Sequence, residues 1–171
     1  MSAATPPLAA SGWRYLPVAG LVIAADQAVK YWMQQHFLPF ERVHLLPVLD
    51  VILTYNPGAA FSFLAEASGW QRWLFVLLAI AVSVTLLVWL RRLSAATQGL
   101  IACGLSLIVG GALGNMIDRL RLGHVIDFIY AHWDTHYFPA FNVADSAITV
   151  GAGLLLLDAW LEARGARGEL S

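Results

Sequence analysis

The chain has 171 residues, of which 59% are hydrophobic and only 12% charged, with a formal net charge of −1 and a mean hydropathy of +0.67. A soluble domain carries about 25% charged and roughly 45–50% apolar residues, so 10 basic and 11 acidic side chains are too few to coat a globule of this size. The composition excludes a disordered chain, argues against a soluble domain, and with no surplus of positive charge disfavours a nucleic-acid binder. A lone cysteine, Cys103, leaves no internal disulfide framework. What remains is a small integral membrane protein, read as one domain over residues 1–171.

A helix needs about 20 mostly apolar residues to cross roughly 30 Å of hydrocarbon. The Ala/Pro-rich first twelve residues read as a mobile tail. Four spans follow, at about residues 14–33, 71–90, 97–117 and 143–161. Residues 73–90 and 93–117 contain no charged side chain at all, whereas the first span is interrupted by Asp26 and the fourth by Asp145. Trp13 and Trp32 bracket the first span, Trp70, Trp73 and Trp89 the second, and Trp160 closes the fourth, a placement that matches an interfacial aromatic belt. Ser68 and Gln71 stand in capping-box spacing before the second span. The first segment lacks a small-residue cleavage site and is not read as a cleaved leader.

Four spans put both tails on one side. That side carries Arg14, Arg91, Arg92, Arg164 and Arg167, and the other carries Lys30, Arg42, Arg72, Arg119 and Arg121. The numbers balance, but the first set sits in shorter segments, which places the tails in the cytoplasm. The two loops on the far side, about residues 34–70 and 118–142, are more than linkers. Residues 48–56 (VLDVILTYN) are rich in β-branched and aromatic residues and end at the turn signal Asn56-Pro57-Gly58; residues 125–130 (VIDFIY) are similarly strand-like. They predict a small β-structured platform leaning on the helix ends, because an isolated hairpin is marginal in water.

Carboxylates near the hydrocarbon are costly and mark function by default. Asp26, Asp118, Asp127 and Asp145 all fall at the same face of the predicted bundle, while Glu41, Asp50 and Glu66 lie in more polar settings of the loops. Singly, each has a structural reading: Asp26 pairs with Lys30 at i,i+4, Asp118 pairs with Arg121 or a neighbouring loop, and Asp145 complements a helix start. Together they allow another. Gly110-Gly111-Ala112-Leu113-Gly114 closes the third span with small residues that let helices approach closely, leading into Asn115, Asp118 and Arg119. No Ser-His-Asp arrangement with a nucleophile elbow is present, and the only lysine is Lys30, which leaves no Ser-Lys dyad. Two carboxylates in a partly dehydrated site share a proton and serve as one base and one acid around a water, the chemistry of an aspartyl peptidase. Such a pair titrates as a unit, so the sequence does not say which is the acid.

The motifs Asp26-Gln27-x-x-Lys30, Asn56-x-Gly58-Ala59-Ala60-Phe61, Gly111-x-x-Gly114-Asn115-x-x-Asp118-Arg119, Val125-x-Asp127-Phe128 and Phe141-Asn142-x-Ala144-Asp145 resemble, in order and over nearly the whole chain, the bacterial lipoprotein signal peptidase (signal peptidase II) family. The resemblance implies a four-helix, mainly α membrane protein with a β-cradle on the extracytoplasmic face of the bacterial cytoplasmic (inner) membrane. It implies an aspartic endopeptidase that cleaves diacylglyceryl-modified prolipoproteins before the lipidated cysteine. It maps the catalytic pair onto Asp127 and Asp145, the substrate and inhibitor site onto Asn56, Gly58, Asn115, Arg119 and Asn142, and supporting roles onto Asp26, Gln27, Lys30, Asp118 and Ala144. It implies sensitivity to the cyclic peptide globomycin. The expected partners are the lipidated substrate and membrane lipids, and the enzyme is expected to act as a monomer with no cofactor.

Five histidines, His36, His44, His124, His132 and His136, all fall in or beside the extracytoplasmic loops. His132-Trp133-Asp134-Thr135-His136 has ligand residues, but no H-E-x-x-H pattern is present, and interfacial hydrogen bonding is the preferred reading, with no metal expected. Cys103 is read as packing. A proton-coupled carrier is the alternative function, since intramembrane aspartates also build proton relays; the gathering of acids at one face, with none in the middle of the second and third spans, counts against it.

Overall fold

The computed structural model describes residues 6–58 and 69–165. Four long helices, α1 (Leu16–His36), α2 (Trp70–Arg92), α3 (Gly99–Leu122) and α4 (Val143–Ala163), carry a small antiparallel sheet of β1 (Arg42–Leu46), β2 (Leu49–Asn56), β3 (Val125–Trp133) and β4 (His136–Tyr137), in the spatial order β1-β2-β3-β4. Helix α3 packs against each of the other three helices. Its small residues explain why. A Cβ on Gly111 would collide with the Ala144 carbonyl oxygen, so only glycine lets α3 and α4 meet this closely. Ala102, Leu105, Ser106 and Val109 are buried along the same helix.

Helices α2, α3 and α4 are long and apolar enough to cross a membrane. Helix α1 has 21 residues, but it is not among them, because Asp26, Gln27 and Lys30 interrupt its apolar run. Asp26 and Lys30 are both fully buried, so those charges face the other helices. The tryptophans at 13, 32, 70, 73, 89 and 160 are all exposed near helix ends. Residue Gly69 precedes α2 in a left-handed conformation with no side-chain cap; the Ser68 half of the expected capping box lies outside the described residues, as do Glu66 and Ala59-Ala60-Phe61 of the second motif.

Three expectations are corrected. Helix α3 continues to Leu122, where Gly123 ends it with φ 85°, so Asp118, Arg119 and Arg121 stand on its last turns and not in the loop. The run from Gly99 to Leu122 contains no proline and its glycines are packed inside the helix, and charge alone does not end a helix. Residues 6–12 are not a free tail: the Gly12 N–H donates to the Leu93 carbonyl (2.9 Å) and Ala95 N–H to the Ala10 carbonyl (2.9 Å), which pins them to the α2–α3 connection. The far-side platform has two further strands, β1 and β4, whose short, exposed sequences lack the alternation that marks a half-buried strand.

The sheet is seated by an apolar cluster of Met33 from α1, Leu53 from β2 and Ile126 and Phe128 from β3, with Val29, Tyr55 and Val143 packed around it. This joins the start of β3 to the helix ends, and it fixes where Asp127, between Ile126 and Phe128, must lie.

Candidate active site

The chain brings Asp26, Lys30, Asn115, Asp118, Asp127, Asn142 and Asp145 into one hydrogen-bonded group where α1, α3, β3 and the start of α4 meet. Asn142 is its hub. It precedes α4 in an extended conformation, and its Oδ1 accepts the Asp145 N–H at 2.9 Å, capping the helix. Its Nδ2 donates to Asp127 Oδ1 at 2.7 Å and lies 3.2 Å from Asn115 Oδ1. Asn115 in turn donates to Asp145 Oδ1 at 2.7 Å, and Asn56, at the end of β2, donates to Asp127 Oδ2 at 3.1 Å. Both carboxylates are thus held by side-chain amides, and among the described residues neither forms an ion pair.

The other two carboxylates are held by charge. Lys30 Nζ lies 2.8 Å from Asp26 Oδ2 and 2.7 Å from Asp118 Oδ2, and it donates to Asn115 Oδ1 at 3.0 Å. The expected Asp26–Lys30 pair is therefore present, but Asp118 takes Lys30 and Gln27 (2.8 Å) as partners in place of Arg121. Asp26 Oδ1 accepts the Ala144 N–H at 2.9 Å, so a carboxylate from α1 satisfies an unpaired donor of the first turn of α4 and complements its dipole. Asp118 Oδ2 also accepts the Ile126 N–H at 3.2 Å, tying β3 to α3 one residue before Asp127. Gln27 donates to the Gly114 carbonyl at 3.2 Å.

Asp127 is 2% exposed. Burial pushes its carboxyl up to about 6, and the charge of Asp145 adds to this, against the lowering effect of the amide hydrogen bonds from Asn56 and Asn142. A carboxyl that titrates there can hold or release a proton near neutral pH. Arg119 lies in the field of Asp145, Asp127 and Asp118; its guanidinium covers the Phe75 ring at 4.8 Å, and its Nε has no partner among the described residues.

Two pockets open onto the pair. Asp127 lines one of about 340 Å³ with Thr54, Asn56, Pro57 and Pro139. Asp145 lines another of about 480 Å³ with Phe138, Phe141, Ser146 and Val150. Gly58 follows Pro57 in the chain, with φ 98° and its N–H donating to Asn56 Oδ1 at 2.9 Å; a side chain there would also run into the Phe75 ring. The sequence did not single out Phe138 or Pro139, although a proline-containing loop directly before Asn142 is a signal that the chain is held extended there.

The whole chain agrees with known proteins. The family model described as signal peptidase II matches residues 18–161. The chain is 55% identical to the lipoprotein signal peptidase of Pseudomonas fluorescens (strain Pf0-1) over 148 residues, 85% of each protein, and 50% identical to that of Shewanella pealeana over 151 residues, 88% of each. It also superimposes on a solved structure described as a bacterial membrane enzyme determined by the in meso method at 2.3 Å resolution, with a TM-score of 0.76 and 28% identity over 88% of this chain and 89% of that one. These matches define a membrane peptidase class. Within it, the chain belongs to the signal peptidase II family.

Proposed function

We propose that this protein removes signal peptides from diacylglyceryl-modified prolipoproteins, cutting before the lipidated cysteine, and that Asp127 and Asp145 are its catalytic pair. The observation that carries this reading is the contrast in how the four acids are held. Asp127 and Asp145 keep a shareable proton because amides position them and neither is tied into an ion pair, and pockets open onto both.

In this mechanism one carboxylate takes a proton from a water held between the two as that water attacks the scissile carbonyl. The other, protonated, hydrogen-bonds the carbonyl oxygen and gives up its proton to it. The tetrahedral species collapses as the first returns its proton to the leaving amine, breaking the C–N bond, while the second takes back a proton from one of its hydroxyls, which leaves a carboxylic acid and restores the starting pair. Asn56 and Asn142 hold Asp127, and Asn115 and Asn142 hold Asp145, in reacting orientation. The guanidinium of Arg119 binds substrate carbonyls. The peptide occupies the polar pocket beside Asn56, and the acyl chains follow the apolar pocket along α4 into lipid. Globomycin-type cyclic peptides compete for the same groove.

All four helices span the bacterial inner membrane in this reading, with both tails cytoplasmic and the sheet outside. The charges of α1 do not oppose this, because Asp26 and Lys30 are neutralised within the bundle while Leu21 faces outward, 71% exposed. A monomer contains every group the reaction requires. The experiment is cleavage of a synthetic lipidated prolipoprotein by the purified protein and by its Asp127→Asn and Asp145→Asn variants. Folded but inactive variants support the pair; appreciable turnover by either removes it.

A further inference from the structure

Away from the catalytic pair, the sheet gathers a second set of reactive side chains. His44 on β1 is the register partner of Asp50 on β2, and Asp50 is the register partner of Tyr130 on β3. His132 lies two residues beyond Tyr130, on the same face of the strand because side chains alternate with a period of two. Asp127, five residues before His132, falls on the other face. One ligand atom from each of His44, Asp50 and His132 lies within 4.8 Å of the others.

The contacts within this group are incomplete in a way that calls for a ligand. Asp50 is fully buried. Its Oδ2 accepts from Arg42 Nε at 2.6 Å, and its Oδ1 faces His44 Nδ1 at 2.6 Å. His132 has no such satisfaction. Its Nε2 is 3.4 Å from Asp50 Oδ2, yet neither ring nitrogen makes a hydrogen bond among the described residues, and both are shielded from solvent. A buried donor or acceptor left without a partner is destabilising.

We propose that His44, Asp50 and His132 form a zinc-binding site on the extracytoplasmic sheet, separate from the peptidase centre. Two imidazoles and a carboxylate are a zinc ligand set, with a fourth position left for water. Arg42 fixes the carboxylate through Oδ2, and an ion bound by Oδ1 and His44 Nδ1 replaces the proton now shared between them; the positive charge of Arg42 makes the site weaker than a structural zinc centre. His44, with a side chain 75% exposed, gives the ion access from solvent. Bound zinc links β1, β2 and β3, and stabilises the sheet that carries Asp127.

The test uses the tag-free full chain in detergent, with zinc chloride as the probe, equilibrium dialysis with metal analysis, and cobalt substitution read by visible absorption. The expected result is one zinc per chain, a raised thermal midpoint with zinc, and a ligand-field spectrum with cobalt. Affinity falls by at least about tenfold in His44→Gln and in His132→Gln and is unchanged in His136→Gln. His44 is exposed, so its variant folds whatever the outcome at His132. Absence of stoichiometric zinc, or His44→Gln binding zinc as the parent does, overturns the site.

Discussion

Two pairs of carboxylates share one end of this helix bundle, and they are held in opposite ways. Asp26 and Asp118 are clamped by the same ammonium, at 2.8 and 2.7 Å, and their remaining lone pairs take backbone N–H groups of Ala144 and Ile126. Asp127 and Asp145 receive only amides, from Asn56, Asn142 and Asn115. An ion pair fixes a carboxylate in its charged form; an amide orients it and leaves its proton exchangeable. The first pair therefore holds helices together, and the second is the one proposed to react. Asn115 joins the two, since it receives a hydrogen bond from Lys30 and donates one to Asp145, so the clamped pair also positions the reactive one.

That division can be broken at several points. The largest effect is expected at the reactive pair: Asp127→Asn or Asp145→Asn lowers the cleavage rate by about 10³-fold or more, at the upper part of the range for positioned proton transfer, while thermal unfolding stays cooperative. Nearly as large is the effect of Lys30→Met, which leaves Asp26 and Asp118 buried without a cation and costs about 3–5 kcal/mol. A thermal midpoint within a degree or two of the parent, measured in the same detergent, would contradict the clamp.

A smaller effect separates the pairs by pH. The Asp127 carboxyl titrates at about 6 in the folded chain against 3.8 for a free group, so folding disfavours its charged form. The resulting loss of stability is absent below about pH 4 and complete above about pH 6, where it amounts to about 3 kcal/mol. The stability of Asp127→Asn relative to the parent should accordingly rise by that amount between those limits, as read from unfolding midpoints at each pH; a flat difference would show that burial does not raise the Asp127 carboxyl. Smallest of all, Gly111→Ala should cost about 1–3 kcal/mol by overpacking α3 against α4, with activity falling through the displacement of Ala144 and its neighbour Asp145. Unchanged midpoint and activity would mean that the helix contact does not set the geometry of either pair.

Much of this arrangement was legible in the residues. Asp26 and Lys30 stand one helical turn apart, and the small residues from Gly110 to Gly114 announced a close helix contact. The strand-like runs at 48–56 and 125–130 foretold β2 and β3. Other features depend on contacts distant in sequence. Nothing local to Asp118 shows that its cation comes from α1, 88 positions earlier in the chain. Asp50 looks like a loop acid until β1 and β3 close over it, and His132 is set beside His44 by strand register, whereas its neighbour in sequence, His136, belongs to β4 and lies outside that group. The pinned N-terminal residues follow the same rule, since their partners Leu93 and Ala95 lie at the far end of α2.

Asn142 has a consequence for the order in which the protein becomes competent. Its amide oxygen caps α4 and its amide nitrogen holds Asp127, so the helix start and the acid pair are made by one side chain. During synthesis Asp127 emerges before Asn142 and Asp145, and a nascent chain ending short of them contains the sheet sequences but only half of the pair. On the proposed mechanism competence then arrives only with the final helix, and a partly made molecule is unable to hydrolyse what it meets.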